Sequence, residues 1–224
     1  MFFLDMHVHS ADLSDDSVAT VEGYAKWILT RRKRGYRVDG IVLTEHRGFN
    51  LDADYSQLSQ QYDVLILRGS EIETDVGHVL VYGVTPRLLQ QFDFRNVNLP
   101  AHEVFRAIRD TGGAFVAAHP GRARTGIWEF AQDGADLSSI TVAELLNGGS
   151  TPDENAKAAE VVQERGYVTT GGSDAHRVSD IARCLTAFQR PIRRIEDLVE
   201  ELLRGEFHAV ELTQTLDLVH EGRA

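Results

Sequence analysis

A chain of 224 residues in which 34 acidic side chains face 23 basic ones, for a formal net charge of -11, repels the phosphate backbone and argues against stable duplex nucleic-acid binding. Hydrophobic residues at 42% and charged residues at 25% are ordinary globular usage, which excludes a disordered or fibrous chain and suits a single core. The lone cysteine, Cys184, permits no intrachain disulfide, no apolar run approaches membrane-spanning length, and Met1 to His7 carries no basic leader, so a cytoplasmic location and no membrane partner are expected.

Short apolar or β-branched runs alternate with longer segments of helical period, the pattern of a βα repeat and a mostly parallel sheet. A first strand is expected at Phe2–Val8. A helix follows over Val18–Arg34, where Val21, Tyr24, Ala25, Ile28 and Leu29 make one apolar stripe. Its last turn, Arg31-Arg32-Lys33-Arg34 before Gly35, suits a helix C-terminus and reads as a solvated face rather than a nucleic-acid patch. Next come a strand at Gly40–Thr44, a helix at Leu51–Gln60, strands at Val64–Ser70 and Val79–Val84, a helix at His102–Thr111 and a strand at Ala114–Ala118. After these the pattern predicts strand Thr141–Leu146, helix Glu154–Arg165 stopped by Gly166, strand Tyr167–Gly171, helix Ile195–Arg204 stopped by Gly205, and a terminal strand at Phe207–Leu212. No linker, repeat or low-complexity tract divides the chain, so residues 1–224 are expected to form one domain. Its core would span about 1–190, a C-terminal helix and strand 191–212, and a polar tail 213–224.

The chemistry-bearing side chains fall where these strands end. His7 and His9 close the first strand, His46 follows the second, Glu71 the third, His119 the fifth, and Asp174 with His176 the seventh, while His78 opens the fourth. Residues two apart in a strand point the same way, so His7 with His9, and Asp174 with His176, can face one centre. In βα barrels such strand ends converge on one rim. His102, His208 and His220 lie outside this pattern and are assigned no chemistry; Cys184 is expected to be a packing residue.

Asp5-Met6-His7-Val8-His9-Ser10, Ser14-Asp15, Thr44-Glu45-His46, Gly69-Ser70-Glu71-Ile72-Glu73, Gly77-His78, Ala118-His119-Pro120 and Gly172-Ser173-Asp174-Ala175-His176 resemble the successive motifs of the polymerase-and-histidinol-phosphatase (PHP) superfamily, from about Phe3 to Phe188. The resemblance implies an α/β fold, a distorted seven-stranded (β/α)7 barrel with its metal site at the C-terminal ends of the strands, and up to three divalent ions. His7, His9, Glu71 and Asp174 would hold the first ion; Asp15, His46 and His176 the second; Glu71, His78 and His119 the third, with Glu71 bridging. Two positions depart from the pattern: Asp16 stands where the family often has Gly, and Glu45 where an Asp commonly precedes the second-strand His. Glu73 shares a strand face with Glu71 and is read either as a partner to the ligands or as a surface carboxylate.

This donor set of imidazoles and carboxylates without thiolate suits Zn²⁺, Mn²⁺ or Fe²⁺ rather than Ca²⁺. The expected function is a metal-dependent phosphoric ester hydrolase, a phosphatase acting on a small phosphorylated substrate. Water acidified by the metals to a pKa of about 7 would attack phosphorus directly. Glu71, Asp174 and Arg122 are the expected catalytic residues, and Arg47 and Arg122, with Arg124 a weaker case, the expected phosphate grips. Competing readings are a phosphodiesterase or exonuclease on short oligonucleotides or cyclic phosphates, hydrolysis of a C–N or C–O bond, and a non-catalytic, metal-stabilised regulatory module.

Overall fold

The computed structural model describes residues 1–216, and its strands join in one sheet. These are β1 (Phe2–Val8), β2 (Gly40–His46), β3 (Leu65–Thr74), β4 (Gly77–Tyr82), β5 (Ala114–Ala117), β6 (Val142–Asn147), β7 (Val168–Gly172), β8 (Cys184–Phe188) and β9 (Phe207–Glu211). They pair in the order β7-β6-β5-β4-β3-β2-β1-β8-β9. Beyond β7 the chain turns alongside the end of β1, where Asp174 N donates to His7 O at 2.7 Å and His9 N to Ala175 O at 3.0 Å. That contact nearly closes the sheet into a barrel at one rim.

The strand count exceeds the expected seven, and the sheet is not mostly parallel. β1–β2, β2–β3, β5–β6 and β6–β7 are parallel, whereas β3–β4, β4–β5, β1–β8 and β8–β9 are antiparallel. Only Asp75 and Val76 separate β3 from β4, a link too short for a parallel crossover, and Gly77 supplies a φ of +112° at its end.

Helices α1 (Val21–Lys33), α2 (Ser56–Tyr62), α3 (Pro86–Gln91), α4 (Ala101–Asp110), α5 (Ile127–Gln132), α6 (Pro152–Arg165) and α7 (Ile195–Arg204) clothe the barrel. α1 begins at Val21 rather than Val18 because the Thr20 hydroxyl caps it, accepting from Gly23 N. α2 begins at Ser56 rather than Leu51. Asn50 and Asp54 instead accept the N–H groups of Asp52 and Ser56, local turns that compete with helix. Arg32 is no freely solvated side chain: it donates to the carbonyls of Val38, Asp39 and Asp63 and ties the end of α1 to the neighbouring loops.

Leu4, Met6, Val42, Leu80, Val116 and Phe188 pack together inside the barrel, with Leu198 and Leu202 of α7 against them. α1 covers β1 and β2 from outside through Tyr24 and Ile28, α4 packs beside β5 through Val104 and Ile108, and α6 beside β6 through Val161. Cys184 is buried in β8, and burial pushes its thiol up to about 12, as fits a packing residue. No helix among the described residues is long and apolar enough to cross a membrane. The expected polar tail and its His220 fall largely in residues 217–224, outside the described residues.

Candidate metal centre

Local backbone irregularities aim the donors inward. Asp5 of β1 lies opposite Ile41 and Val8 opposite Leu43, so the register slips between them, a bulge that turns His7 toward the interior. Glu71 lies opposite Leu80, an interior residue, and faces the same side. Because β4 runs against β3, its first residues stand at the rim where β3 ends, and His78 pairs with Glu73 across the hairpin. His119, at φ 29°, Asp174, at φ 51°, and Arg47, at φ 50°, adopt left-handed backbone unusual for such side chains, the kind of strain that gathers at functional sites. At Gly172 an added Cβ would lie 2.4 Å from His7 Cβ and 2.6 Å from Glu144 Oε1, so only glycine lets β7 come this near.

Three groups of donors result. His7 Nε2 lies 2.9 Å from His9 Nε2, 3.3 Å from Glu71 Oε2 and 3.5 Å from Asp174 Oδ1. His9 Nε2 is in turn 3.4 Å from Glu71 Oε2 and 3.2 Å from Asp174 Oδ1. His7 Nε2, His9 Nε2 and Glu71 Oε2 thus form a triangle with edges of 2.9–3.4 Å, so one ion could lie about 2 Å from each, with Asp174 Oδ1 within 3.5 Å of both histidines. His46 Nε2 and His176 Nε2 stand 3.2 Å apart, with His9 in the same group. On the other side Glu71 Oε1 reaches His78 Nδ1 at 2.9 Å and His119 Nε2 at 2.8 Å. Glu71 therefore touches both flanking groups, since its Oε2 also meets His46 Nδ1 at 2.9 Å. A mixed imidazole and carboxylate set, buried and mutually convergent, fits divalent metal ions.

The structure does not bring Asp15 to the His46–His176 pair. Asp15 is exposed and, among the described residues, makes no ion pair with either histidine. Its neighbour Asp16 does so instead, with Oδ2 at 3.3 Å from both Nε2 atoms. The run Ser14-Asp15-Asp16-Ser17 offers two adjacent carboxylates, and only the loop's conformation selects between them.

Comparison with known proteins bears on the fold. Residues 152–207 match the family model described as PHP-associated. PsfC from Pseudomonas syringae superposes with a TM-score of 0.65 at 20% identity, over 98% of this chain and 95% of that one. A candidate metal-dependent phosphoesterase from Bifidobacterium adolescentis gives 0.56 at 18%, over 94% and 98%. The chain shares the fold of these proteins. The lesion-specific endonuclease PfuEndoQ from Pyrococcus furiosus shares the fold at a TM-score of 0.61 and 16% identity, over 93% of this chain and 57% of that one. No curated protein matches the chain in sequence.

Within this fold, further buried carboxylates hold the donors in place, among them Glu144, which sequence reasoning missed. Glu144 of β6 accepts His7 Nδ1 at 3.1 Å on each oxygen, and its Oε2 also takes His119 N at 2.7 Å and Asn147 Nδ2 at 3.0 Å. With Nδ1 committed to Glu144, Nε2 of His7 is left for the centre. A charged residue inside the apolar run Val142-Ala143-Glu144-Leu145-Leu146 was the available signal. Glu45 accepts Ser10 N at 2.9 Å and the Ser14 hydroxyl at 2.6 Å; Ser14 Oγ lies 3.0 Å from His46 N and 3.4 Å from His9 Nδ1. The residue that departs from the family pattern thus braces the loop carrying Asp16. Asp5 accepts Ser173 N and Ala182 N, each at 2.8 Å, clamping the turn that bears Asp174.

Electrostatics follow the crowding. Burial disfavours charge on His7, yet the carboxylates of Glu144, Asp174 and Glu71 outweigh it and hold its imidazolium well above the usual range. Burial likewise resists charge on Glu71 and Asp174, but the facing histidines, His7 foremost, keep both carboxyls well below theirs. Burial takes His9 down to about 4 and lowers His119, and it lifts Asp5 to about 6.

Of the expected phosphate grips, Arg122 reaches the centre: Nη2 donates to Asp174 Oδ2 at 2.7 Å and to Asn147 Oδ1 and Ser150 Oγ at 3.2 Å. Arg47 lies farther out, its Nε 3.6 Å from Glu73 Oε1, beside His46 in a cleft of about 800 Å³. Glu73 comes no nearer than 4.0 Å to His78 Nε2 and pairs with Arg47, so it belongs to the rim. Arg124 is exposed and its backbone N–H bonds to Glu129; His102 and His208 are also exposed and away from the donors.

Proposed function

We propose that the chain is a metal-dependent phosphoesterase that hydrolyses a small phosphate monoester. The observation that supports this most directly is the convergence of His7, His9 and Glu71, with Asp174 within 3.5 Å of both histidines and the His46, His176, Asp16 and the His78, His119 groups flanking them. In this reading those groups would hold two or three divalent ions, of zinc, manganese or iron, with Glu71 placed to contact each group. Divalent ions bound there would acidify water and neutralise charge on phosphoryl oxygens.

The chain's own side chains do the rest. Glu144 fixes the His7 ring so that Nε2 stays free for the centre. Arg122, a quarter exposed and fastened to Asp174, presents its remaining N–H groups at the rim, where a guanidinium can meet phosphate oxygens. Arg47 adds positive charge at the mouth of the adjoining cleft. Release of inorganic phosphate from a panel of nucleotides and sugar phosphates, with added Mn²⁺ or Zn²⁺, tests the proposal; rates no higher than those of a His7→Ala variant overturn it.

A second reading, cleavage of phosphodiesters, is favoured by the likeness to a lesion-specific endonuclease over nearly the whole chain. Against it stands the net charge of -11, which weakens contact with a long polyanion. Mononucleotide products released from short oligonucleotides, with no phosphate release from monoesters, would select it.

A further inference from the structure

Little backbone joins the barrel where it closes at the donor-bearing rim. The chain leaving β7 meets the end of β1 through Asp174 N on His7 O at 2.7 Å and His9 N on Ala175 O at 3.0 Å. The donors span this joint. His9 stands on the β1 side and Asp174 and His176 on the other, with His9 Nε2 3.2 Å from Asp174 Oδ1 and the His9 and His176 rings stacked at 4.5 Å between centroids.

Two hydroxyl groups reinforce it. Tyr24, fully buried on α1, donates to His9 O at 2.7 Å and Ala175 O at 2.8 Å. Ser17, in the loop before α1, donates to His9 O at 2.9 Å and His176 O at 3.2 Å. Ala175 O also takes His9 N, and His176 O takes Val18 N, but among the described residues His9 O takes no backbone N–H and depends on the two hydroxyls. Phenylalanine at position 24 would fill the same core space, and a hydroxyl costs free energy to bury unless it is bonded, so the phenol oxygen contributes through these carbonyls rather than through packing.

We infer that Tyr24 and Ser17 are positioning residues for the metal centre: their hydroxyls clamp the carbonyl of His9 to those of Ala175 and His176 and so set the spacing of donors that face one another across the joint. The inference rests on the metal-dependent reading for what that spacing serves. Metal–ligand distances tolerate only about 0.2 Å, so a joint with few backbone bonds gains from a second set of clamps.

The test uses Tyr24→Phe, Ser17→Ala and the double variant of the full chain. Ile28→Val, in the core beneath the same helix, is the control that loosens packing and leaves both hydroxyls in place. In the metal-free proteins, hydrogen exchange at His9 N and Asp174 N should be faster in the hydroxyl variants than in Ile28→Val at matched loss of melting temperature. Zn²⁺ affinity, by competition with a chromogenic chelator, should fall about tenfold in each single variant, and by more than the product of the two in the double variant, where His9 O is left without a donor. The visible spectrum of the Co²⁺ form should change in Tyr24→Phe and not in Ile28→Val. Exchange that matches the control overturns the inference, as does faster exchange with Zn²⁺ affinity and Co²⁺ spectrum unchanged. A wild-type chain that binds neither ion, with exchange still faster in the hydroxyl variants, would refute the metal-dependent reading while the clamp stood.

Discussion

Replacing Glu144 with the isosteric Gln isolates what this carboxylate does for His7. Oε2 of Glu144 accepts three N–H groups, from His7 Nδ1, His119 N and Asn147 Nδ2, at 3.1, 2.7 and 3.0 Å, while Oε1 accepts only His7 Nδ1, also at 3.1 Å. A Gln carbonyl therefore belongs at the Oε2 position, which sets its NH₂ against His7 Nδ1. Two donors then face each other unless His7 surrenders its Nδ1 proton. In the neutral ring that proton moves to Nε2, the atom turned toward His9, Glu71 and Asp174. Either outcome weakens a metal at Nε2, and loss of such a partner typically lowers affinity about 10- to 100-fold, or about 1.4–2.8 kcal/mol. Competition between the metal-free protein and a chromogenic chelator for Zn²⁺ measures the change, with far-UV circular dichroism and a cooperative melt confirming the fold. A Glu144→Gln protein that is folded and binds Zn²⁺ as tightly as the wild type refutes the reasoning.

Asp16→Asn should lower the metal content found by elemental analysis, because its carboxylate meets both His46 and His176, whereas Asp15→Asn should leave it unchanged; the reverse pattern would restore Asp15 as the ligand. In the metal-free protein, burial opposes charge on His7 but Glu144, Asp174 and Glu71 raise its pKa well above 6.5. Its stabilising contribution is thus fully present below that unfolded value and is lost as pH rises through the folded one, so the metal-free protein should melt at lower temperature on the alkaline side. By the same sign, metal binding near neutral pH should expel a proton and tighten as pH rises; calorimetric heats that do not vary with the buffer's ionisation enthalpy would contradict this. Gly172→Ala should destabilise the chain by about 1–3 kcal/mol in denaturant unfolding, since the new methyl would meet His7 and Glu144 at 2.4 and 2.6 Å, and an unchanged midpoint would show that β7 can retreat without cost.

What could be read from the sequence was what repeats or clusters along it. Strand positions follow from short apolar runs, and His7, His9, His46, Glu71, His78, His119, Asp174 and His176, which converge in the fold, stand where those runs stop or start. Asp16 was passed over because adjacent carboxylates in a loop differ by backbone geometry alone. Glu144 lay in plain view as a charge within a buried strand, but its partner His7 is 137 positions away, and no local pattern connects them. β8 escaped because five residues after a short turn carry too little period to be told from a loop.

The direction of β4 explains how His78, which stands at the start of its strand, reaches the other donors. In a wholly parallel barrel, a histidine at the start of a strand would sit at the rim opposite its companions, roughly the length of the strand away. The two-residue link after β3 forbids a parallel return, so the chain reverses and the first residues of β4 stand level with the last of β3. His78 then meets Glu71 from the neighbouring strand at 2.9 Å, while His119, which follows β5, arrives at the other side of the same oxygen. The antiparallel insertion is therefore part of how the site is built: a hairpin delivers to the rim a ligand that a crossover of many residues would otherwise be needed to supply, and it fixes Glu71 between the two flanking groups through the hydrogen-bonded ladder on which it lies.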